Sequence, residues 1–115
     1  STGSGITLWA VFSKNKDEID IQNPVILGAD CLGEKGKKAE DVGTEAAERL
    51  MSEINSKAPV DSHLADQILK YIALLQESKI KTSKITRHTK TNIYVIEKFL
   101  GKKFEIDENI ISVKQ

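Results

Sequence analysis

The stretch Ser56-Lys57-Ala58-Pro59 divides this sequence into two different patterns. Proline cannot continue a helix, and it pushes the residue before it towards an extended conformation. The helical pattern that precedes the stretch therefore ends there, and a new segment begins after it. We predict a boundary between two structural units close to Pro59.

The residues before this boundary predict two antiparallel strands followed by a helix. The strands are Ile6–Phe12, in which alternate residues fall on one face, and Pro24–Ala29. The polar residues Lys14–Glu18 separate them. From Ala39 onward apolar residues recur at intervals of three and four, which predicts an amphipathic helix that ends near Asn55.

The residues after the boundary predict a helix, a short strand, a second helix and a hairpin. Asp61 or Ser62 can cap the first of these helices, whose apolar face runs from Leu64 to Leu75. The residues from Ser78 to Lys84 alternate like a short strand.

The third helix of the chain is predicted to begin after Thr91, a good N-cap, and to stop at Gly101. The strands Lys102–Ile106 and Ile110–Lys114 then pair around a turn. The predicted order is β-β-α before the boundary and α-β-α-β-β after it, an α/β fold of the α+β kind. Neither half has enough strands and helices to bury a large core alone.

Composition restricts the class of protein. The 115 residues suffice for at most one small domain, and the 17 basic and 17 acidic side chains exclude a polycationic tail protein. No apolar stretch approaches the roughly 20 residues that cross a bilayer, so we expect no membrane association. Because Cys31 is the single cysteine and no leader pattern opens the chain, we expect a reducing cytoplasm.

The neutral total conceals two halves of opposite charge. Residues 1–77 carry 8 basic and 13 acidic side chains, a net charge of −5, whereas residues 78–115 carry 9 and 4, a net charge of +5. Lysines in the stretch Lys79–Lys90, which has no acid, either keep an edge strand solvated or engage RNA. The stretch contains no aromatic residue, so base stacking is not indicated.

Few residues offer catalytic chemistry. No cysteine or histidine spacing indicates a metal site, and the glycines at residues 3–5 and 33–36 lack the spacing of nucleotide-binding loops. His88 lies just before the predicted third helix, where backbone N–H groups attract phosphate and the helix dipole disfavours an imidazolium. A histidine there can attack phosphorus, or it can be a surface histidine bonded to a carbonyl.

A second polar group opens the helix after the boundary. His63, Asp66 and Gln67 share a face at i, i+3 and i+4 and could hold a ligand together. The alternative is an ordinary solvent-facing surface whose aspartate complements the helix dipole.

Three separated motifs resemble, in order and spacing, the C-terminal third of the RNA 3′-terminal phosphate cyclase family, and the likeness runs along the whole chain. The motifs are Gly3–Ala10, Leu64–Gln67, and Thr86–Ile93 followed by Val95–Leu100. The family has a catalytic domain of three repeated α/β units, with a smaller thioredoxin-like domain inserted in the third. The resemblance implies that residues 1–58 are the C-terminal part of the inserted domain and residues 59–115 the C-terminal part of the third repeat.

The resemblance also implies a reaction and its site. Members of the family use ATP and a divalent metal ion, Mg²⁺ or Mn²⁺, to convert an RNA 3′-phosphate to a 2′,3′-cyclic phosphate, with release of AMP and pyrophosphate. His88 matches the histidine that is transiently adenylated. A segment that lines the adenylate pocket is matched by His63, Leu64, Ala65, Asp66 and Gln67, of which Asp66 and Gln67 are the expected polar contacts.

His63 departs from the family pattern, which has a tyrosine stacked on adenine, so altered nucleotide contact is expected. The implied partners are an RNA with a 3′-phosphate end and the remaining N-terminal part of the same enzyme, and a homodimer is left open. Metal ligands are not assigned to any residue.

Two other functions compete with this one. Cyclase-like ribosome-assembly factors share the fold but lack the nucleophilic histidine, so His88 and the Asp66-Gln67 pair favour the enzyme. A free-standing RNA-binding module would use the basic stretch, and the boundary at Pro59 disfavours it.

Overall fold

The computed structural model describes residues 3–16 and 18–114. These residues form seven strands and three helices: β1 Gly5–Val11, β2 Ser13–Asn15, β3 Glu18–Ile19, β4 Ile26–Leu32, α1 Ala39–Asn55, α2 Ser62–Ile72, β5 Lys79–Lys81, α3 Arg87–Leu100, β6 Lys103–Asp107 and β7 Ile110–Lys114. The predicted mixed α/β class is confirmed. Ser1, Thr2, Asp17 and Gln115, which fall within the predicted units and the predicted polar interruption, lie outside the described residues.

The chain divides into two compact units, one that ends at Lys57 and one that begins at Ala58. Lys57 has a left-handed φ of 54° after the last turn of α1, and Pro59 follows two residues later. The assignment of residues 1–58 and 59–115 to two domains of a larger enzyme stays a prediction. None of the described helices is both long and apolar enough to cross a membrane.

The first unit packs one helix against a two-stranded antiparallel sheet. β1 and β4 pair from Gly5 opposite Leu32 to Val11 opposite Ile26, so β4 begins later and runs further than the predicted second strand. Alternate residues face the helix because side chains alternate across a strand. The core of this unit consists of Cys31, Val42 and Ala46, with Ile6 and Leu8 packed against them.

The predicted polar interruption contains a small ribbon that the sequence pattern did not indicate. β2 and β3 pair with an irregular register. The Asp20 carboxylate forms an ion pair with Lys14 at 2.8 Å and accepts hydrogen bonds from the N–H groups of Gln22 and Asn23. The Lys14 ammonium and these backbone bonds hold the pKa of Asp20 below its usual range. The carboxylate thereby stabilises the loop after the ribbon.

A chain of charges connects α1 to β4. Glu45 forms ion pairs with Lys37 and Arg49, and Arg49 Nη1 donates to the Asp30 carbonyl at 2.7 Å. The hydrogen bond from Lys37 holds the pKa of the Glu45 carboxyl below its usual range. Cys31 is buried beside this group, with its Sγ 3.7 Å from Lys37 Nζ.

The second unit packs α2 and α3 against a three-stranded antiparallel sheet of order β5-β7-β6. Asp61, one of the two predicted caps, caps α2: its Oδ1 accepts from the Leu64 N–H at 2.8 Å. The core consists of Leu69, Ile72, Ile93, Ile111 and Val113. Leu64 and Leu75, which the pattern placed on the buried face, are 39% and 57% exposed, because α2 ends at Ile72 and Leu64 lies in its first turn.

The start of α3 corrects the prediction that Thr91 is its N-cap. α3 begins at Arg87, five residues earlier, with Thr86 as the N-cap. The reason is a capping box between Thr86 and Thr89 that satisfies N–H groups at the helix start. At the other end Gly101, with φ of 63°, stops the helix as predicted.

Candidate functional site

A hydrogen bond joins the two helices of the second unit at the predicted site. Thr89 Oγ1 donates to Asp66 Oδ1 at 2.6 Å, although the two residues are 23 positions apart. Thr89 is fully buried and Asp66 is half-buried. Charge-assisted bonds of this kind are shorter and stronger than bonds between neutral groups. The bond therefore holds the first turn of α3 beside α2.

The same threonine belongs to the capping box. The Thr89 N–H donates to Thr86 Oγ1 at 3.0 Å, the Thr86 N–H donates to Thr89 Oγ1 at 3.3 Å, and the two hydroxyl oxygens are 2.9 Å apart. Because the single Thr89 hydroxyl proton goes to the carboxylate, the Thr86 hydroxyl is the donor between the two oxygens. Hydrogen bonds thus connect Asp66, Thr89 and Thr86 in one network.

His88 immediately precedes Thr89 and is the second residue of α3. The prediction that it lies before the helix is therefore wrong, because the helix begins five residues earlier than expected. Its side chain is exposed. Within residues 3–16 and 18–114, the backbone N–H groups of Arg87 and His88 have no acceptor, as is usual in the first turn of a helix. These donors and the positive end of the helix dipole create an environment that favours a phosphate.

A cleft of about 230 Å³ lies between α2 and α3. It is lined by Asp66, Gln67, Lys70, Asn92, Val95 and Ile96. Asn92 lies one helical turn after His88, so both residues face the same side of α3. The structure thus brings the predicted polar pair, Asp66 and Gln67, together with the face of α3 that carries His88.

The other predicted pocket residues do not line this cleft. His63 is exposed and shares the face of α2 that carries Asp66 and Gln67. Leu64 is exposed by 39% next to it, and Ala65 is fully buried, so its side chain supports the helix from within the unit. The roles of His63, Leu64 and Ala65 in nucleotide contact stay predictions.

Sequence reasoning did not single out Thr89, Lys70 and Asn92. Helical spacing offered a signal for two of them: Lys70 follows Gln67 by three residues, and Asn92 follows His88 by four. Thr89 follows Thr86 by three, the spacing of a capping box with threonine in place of the usual Glu or Gln.

The part of the chain that the structure describes brings together no group of three His, Cys, Asp or Glu side chains able to hold a metal ion. The predicted divalent ion therefore receives no ligand set from these residues, and we assign no step of the chemistry to it.

Fold and site define a mixed α/β protein in which a histidine occupies the first turn of a helix that borders a polar interhelical cleft. A family model described as RNA 3′-terminal phosphate cyclase matches residues 3–106. The chain therefore belongs to the RNA 3′-terminal phosphate cyclase family, as its motifs predicted.

Individual relatives agree with the family match. The RNA 3′-terminal phosphate cyclase of Pyrobaculum neutrophilum is 44% identical over 106 residues, which is 91% of this chain and 28% of the relative. Those of Methanosarcina acetivorans and Pyrococcus furiosus are each 46% identical, over 94% and 90% of this chain and 26% and 27% of their own lengths. The chain thus spans less than a third of the length of these relatives.

Proposed function

We propose that this chain is part of an ATP-dependent RNA 3′-terminal phosphate cyclase in which His88 carries AMP as a covalent intermediate. The observation that carries the proposal is the position of His88 in the first turn of α3, directly before the residue that bonds Asp66. Family membership supports the same role, because His88 lies within the matched residues 3–106.

The first chemical step uses the environment of His88. A neutral imidazole has a ring nitrogen with a free lone pair, which makes it a nucleophile. This nitrogen attacks the α-phosphorus of ATP, a nitrogen–phosphorus bond forms, and the bond to pyrophosphate breaks. The free N–H groups of Arg87 and His88 can bind a phosphate oxygen during this step.

The second part of the reaction uses the activated AMP. AMP passes from His88 to the RNA 3′-phosphate, which converts that phosphate from a poor electrophile into a phosphoanhydride. The neighbouring 2′-hydroxyl then attacks the same phosphorus and AMP leaves. Ring closure is efficient because the nucleophile and the phosphorus are held in one molecule at high effective molarity.

The nucleoside of ATP is assigned to the face of α2 that carries His63, Asp66 and Gln67. The cleft beside Asp66 and Gln67 measures about 230 Å³, which is smaller than the roughly 300–1,000 Å³ of typical ligand pockets. The described residues therefore supply one wall of a nucleotide site. Lys70 adds a cation to this wall.

The test uses the complete enzyme, labelled ATP and a divalent metal, without RNA. We expect covalent label on the wild-type protein and none on the His88→Ala variant. Lys90→Ala is the matched control, because it removes an exposed nucleophile from the same turn and should keep the label. An unlabelled wild-type protein would instead favour the assembly-factor function, and label on His88→Ala would exclude His88 as the carrier.

A further inference from the structure

The longest acid-free stretch of the chain lies around His88. Between Glu77 and Glu97 there is no acidic residue. The cations of this stretch are Lys79, Lys81, Lys84, Arg87 and Lys90. All five are exposed, and none of them has an ion-pair partner within residues 3–16 and 18–114. Their charges are therefore available to an anionic partner.

Protection of a sheet edge accounts for only part of this stretch. Lysines on an edge strand discourage pairing with another chain, which would explain Lys79 and Lys81 on β5. Lys84 lies beyond β5, and Arg87 and Lys90 lie in α3, where no sheet edge needs protection. Some cations elsewhere are paired with acids, as Lys114 on β7 is with Glu105 on β6.

The backbone of the stretch is anchored where it leaves β5. Thr82 is fully buried, and its N–H donates to the Asn109 carbonyl at 2.9 Å. The Ser83 N–H donates to the Val60 carbonyl at 3.1 Å, and Asn109 Nδ2 donates to the Ser83 carbonyl at 3.2 Å. Lys81 and Lys84 flank these anchored residues, so both are presented from a fixed backbone.

We propose that Lys79, Lys81 and Lys84 bind the phosphate backbone of single-stranded RNA and guide its 3′ end to His88. This inference rests on the proposed function of His88. Positive charges spread along a strand and a loop suit a chain of phosphates, whereas the triphosphate of ATP is compact. Residues 78–93 contain no Phe, Tyr or Trp on which a base could stack. The lysines therefore contact phosphates, and this binding does not depend on the RNA sequence.

The experiment compares two triple variants of the complete enzyme. One carries Lys79→Gln, Lys81→Gln and Lys84→Gln. The control carries Lys35→Gln, Lys38→Gln and Lys57→Gln, which removes three exposed lysines from the other unit and changes the net charge equally. Affinity for a single-stranded RNA with a 3′-phosphate is measured by fluorescence anisotropy across a salt series, and ATP labelling without RNA is measured in parallel.

We expect the first variant to keep ATP labelling and to bind RNA more weakly, with a salt slope smaller by about two, because each phosphate contact on a single strand contributes about 0.7. The control should match the wild type in both measurements. Unchanged RNA affinity, an equal loss in the control, or lost labelling would each overturn the proposal, the last by assigning the lysines to ATP. If ATP does not label the wild type but the lysine variant still binds RNA more weakly, the proposed function of His88 is wrong. RNA binding by Lys79, Lys81 and Lys84 is then still supported.

Discussion

At the scale of single residues, Thr89 connects the two parts of the site. Its hydroxyl donates to Asp66 and its backbone N–H donates to Thr86, while its peptide neighbour is His88. A buried polar group that loses its partner is destabilising. Thr89 therefore gives a direct hydrogen-bonded connection from α2 to the first turn of α3.

We predict that Thr89→Val in the complete enzyme slows formation of the AMP adduct by about ten- to a hundredfold, because a hydrogen bond to a charged group contributes about 1.5–3 kcal/mol. Thr89→Ser keeps the hydroxyl and should restore most of the rate. Adduct formation is followed by quenched labelling at saturating ATP. A Thr89→Val enzyme as fast as the wild type would contradict the positioning role.

Asp66 has two proposed roles, the bond to Thr89 and contact with the nucleoside. We predict that Asp66→Ala raises the ATP concentration at which adduct formation is half-maximal. Thr89→Val should leave this concentration unchanged and lower the maximal rate. A double variant separates the roles, since residues in contact show non-additive effects. Equal ATP dependence in Asp66→Ala and the wild type would remove Asp66 from the nucleotide site.

The sequence alone identified Asp66, Gln67 and His88 as candidates, because two short motifs carried them. It did not identify the Asp66–Thr89 bond, since that contact joins residues 23 positions apart and depends on how α2 and α3 pack. The spacing of residues within one helix predicts which of them share a face, but it does not predict which residues of two helices come into contact.

At the scale of elements, the start of α3 decides the surroundings of His88. Three threonines, Thr86, Thr89 and Thr91, offer possible caps in this segment. The sequence pattern favoured Thr91 because the first apolar residue of the stripe, Ile93, follows it closely. The structure uses Thr86 instead, because a second threonine three residues later returns a hydrogen bond to its N–H.

We predict that Thr86→Ala lowers the stability of the complete enzyme or of its second unit by about 0.5–2 kcal/mol, the usual loss for a removed N-cap. Thr91→Ala is the matched control and should be nearly neutral, because Thr91 is an exposed position inside the helix. Denaturant unfolding and amide exchange at residues 87–90 measure the difference. A larger loss of stability in Thr91→Ala than in Thr86→Ala would show that Thr91 is the N-cap, and would contradict the capping by Thr86.

The elements with strong periodicity were predicted well. The bounds of α1, the Asp61 cap of α2, the Gly101 stop and the β6–β7 hairpin are confirmed. The β2–β3 ribbon was missed because its short polar strands have no apolar alternation, and its loop depends on the Asp20 carboxylate.

At the scale of the whole molecule, each unit exposes large apolar side chains. Ile21 and Leu32 of the first unit are 88% and 71% exposed, and Leu74 and Phe99 of the second are 70% and 83% exposed. Apolar surface left in water contributes no stability, and clusters of it usually mark contact with other protein. The composition did not predict these exposed apolar side chains, because the fraction of apolar residues, 39%, is ordinary.

We predict that the 115-residue chain alone is poorly stable, because its small cores lack the packing that the rest of a larger enzyme would add. Its thermal unfolding should be broad, and its amides should exchange rapidly with solvent. Calorimetry and hydrogen exchange measure both properties. A sharp cooperative transition with strong amide protection would contradict the interpretation of these residues as parts of two larger domains.

The most direct measurement is to locate the AMP on the complete enzyme. After incubation with labelled ATP and a divalent metal, the protein is digested under alkaline conditions, in which a histidine phosphoramidate persists, and the labelled peptide is sequenced by mass spectrometry. Lys84 and Lys90 are the rival carriers, because a lysine amine can also form a phosphoramidate with AMP. We predict an acid-labile, alkali-stable adduct on His88. AMP on Lys84 or Lys90 would contradict the mechanism proposed here.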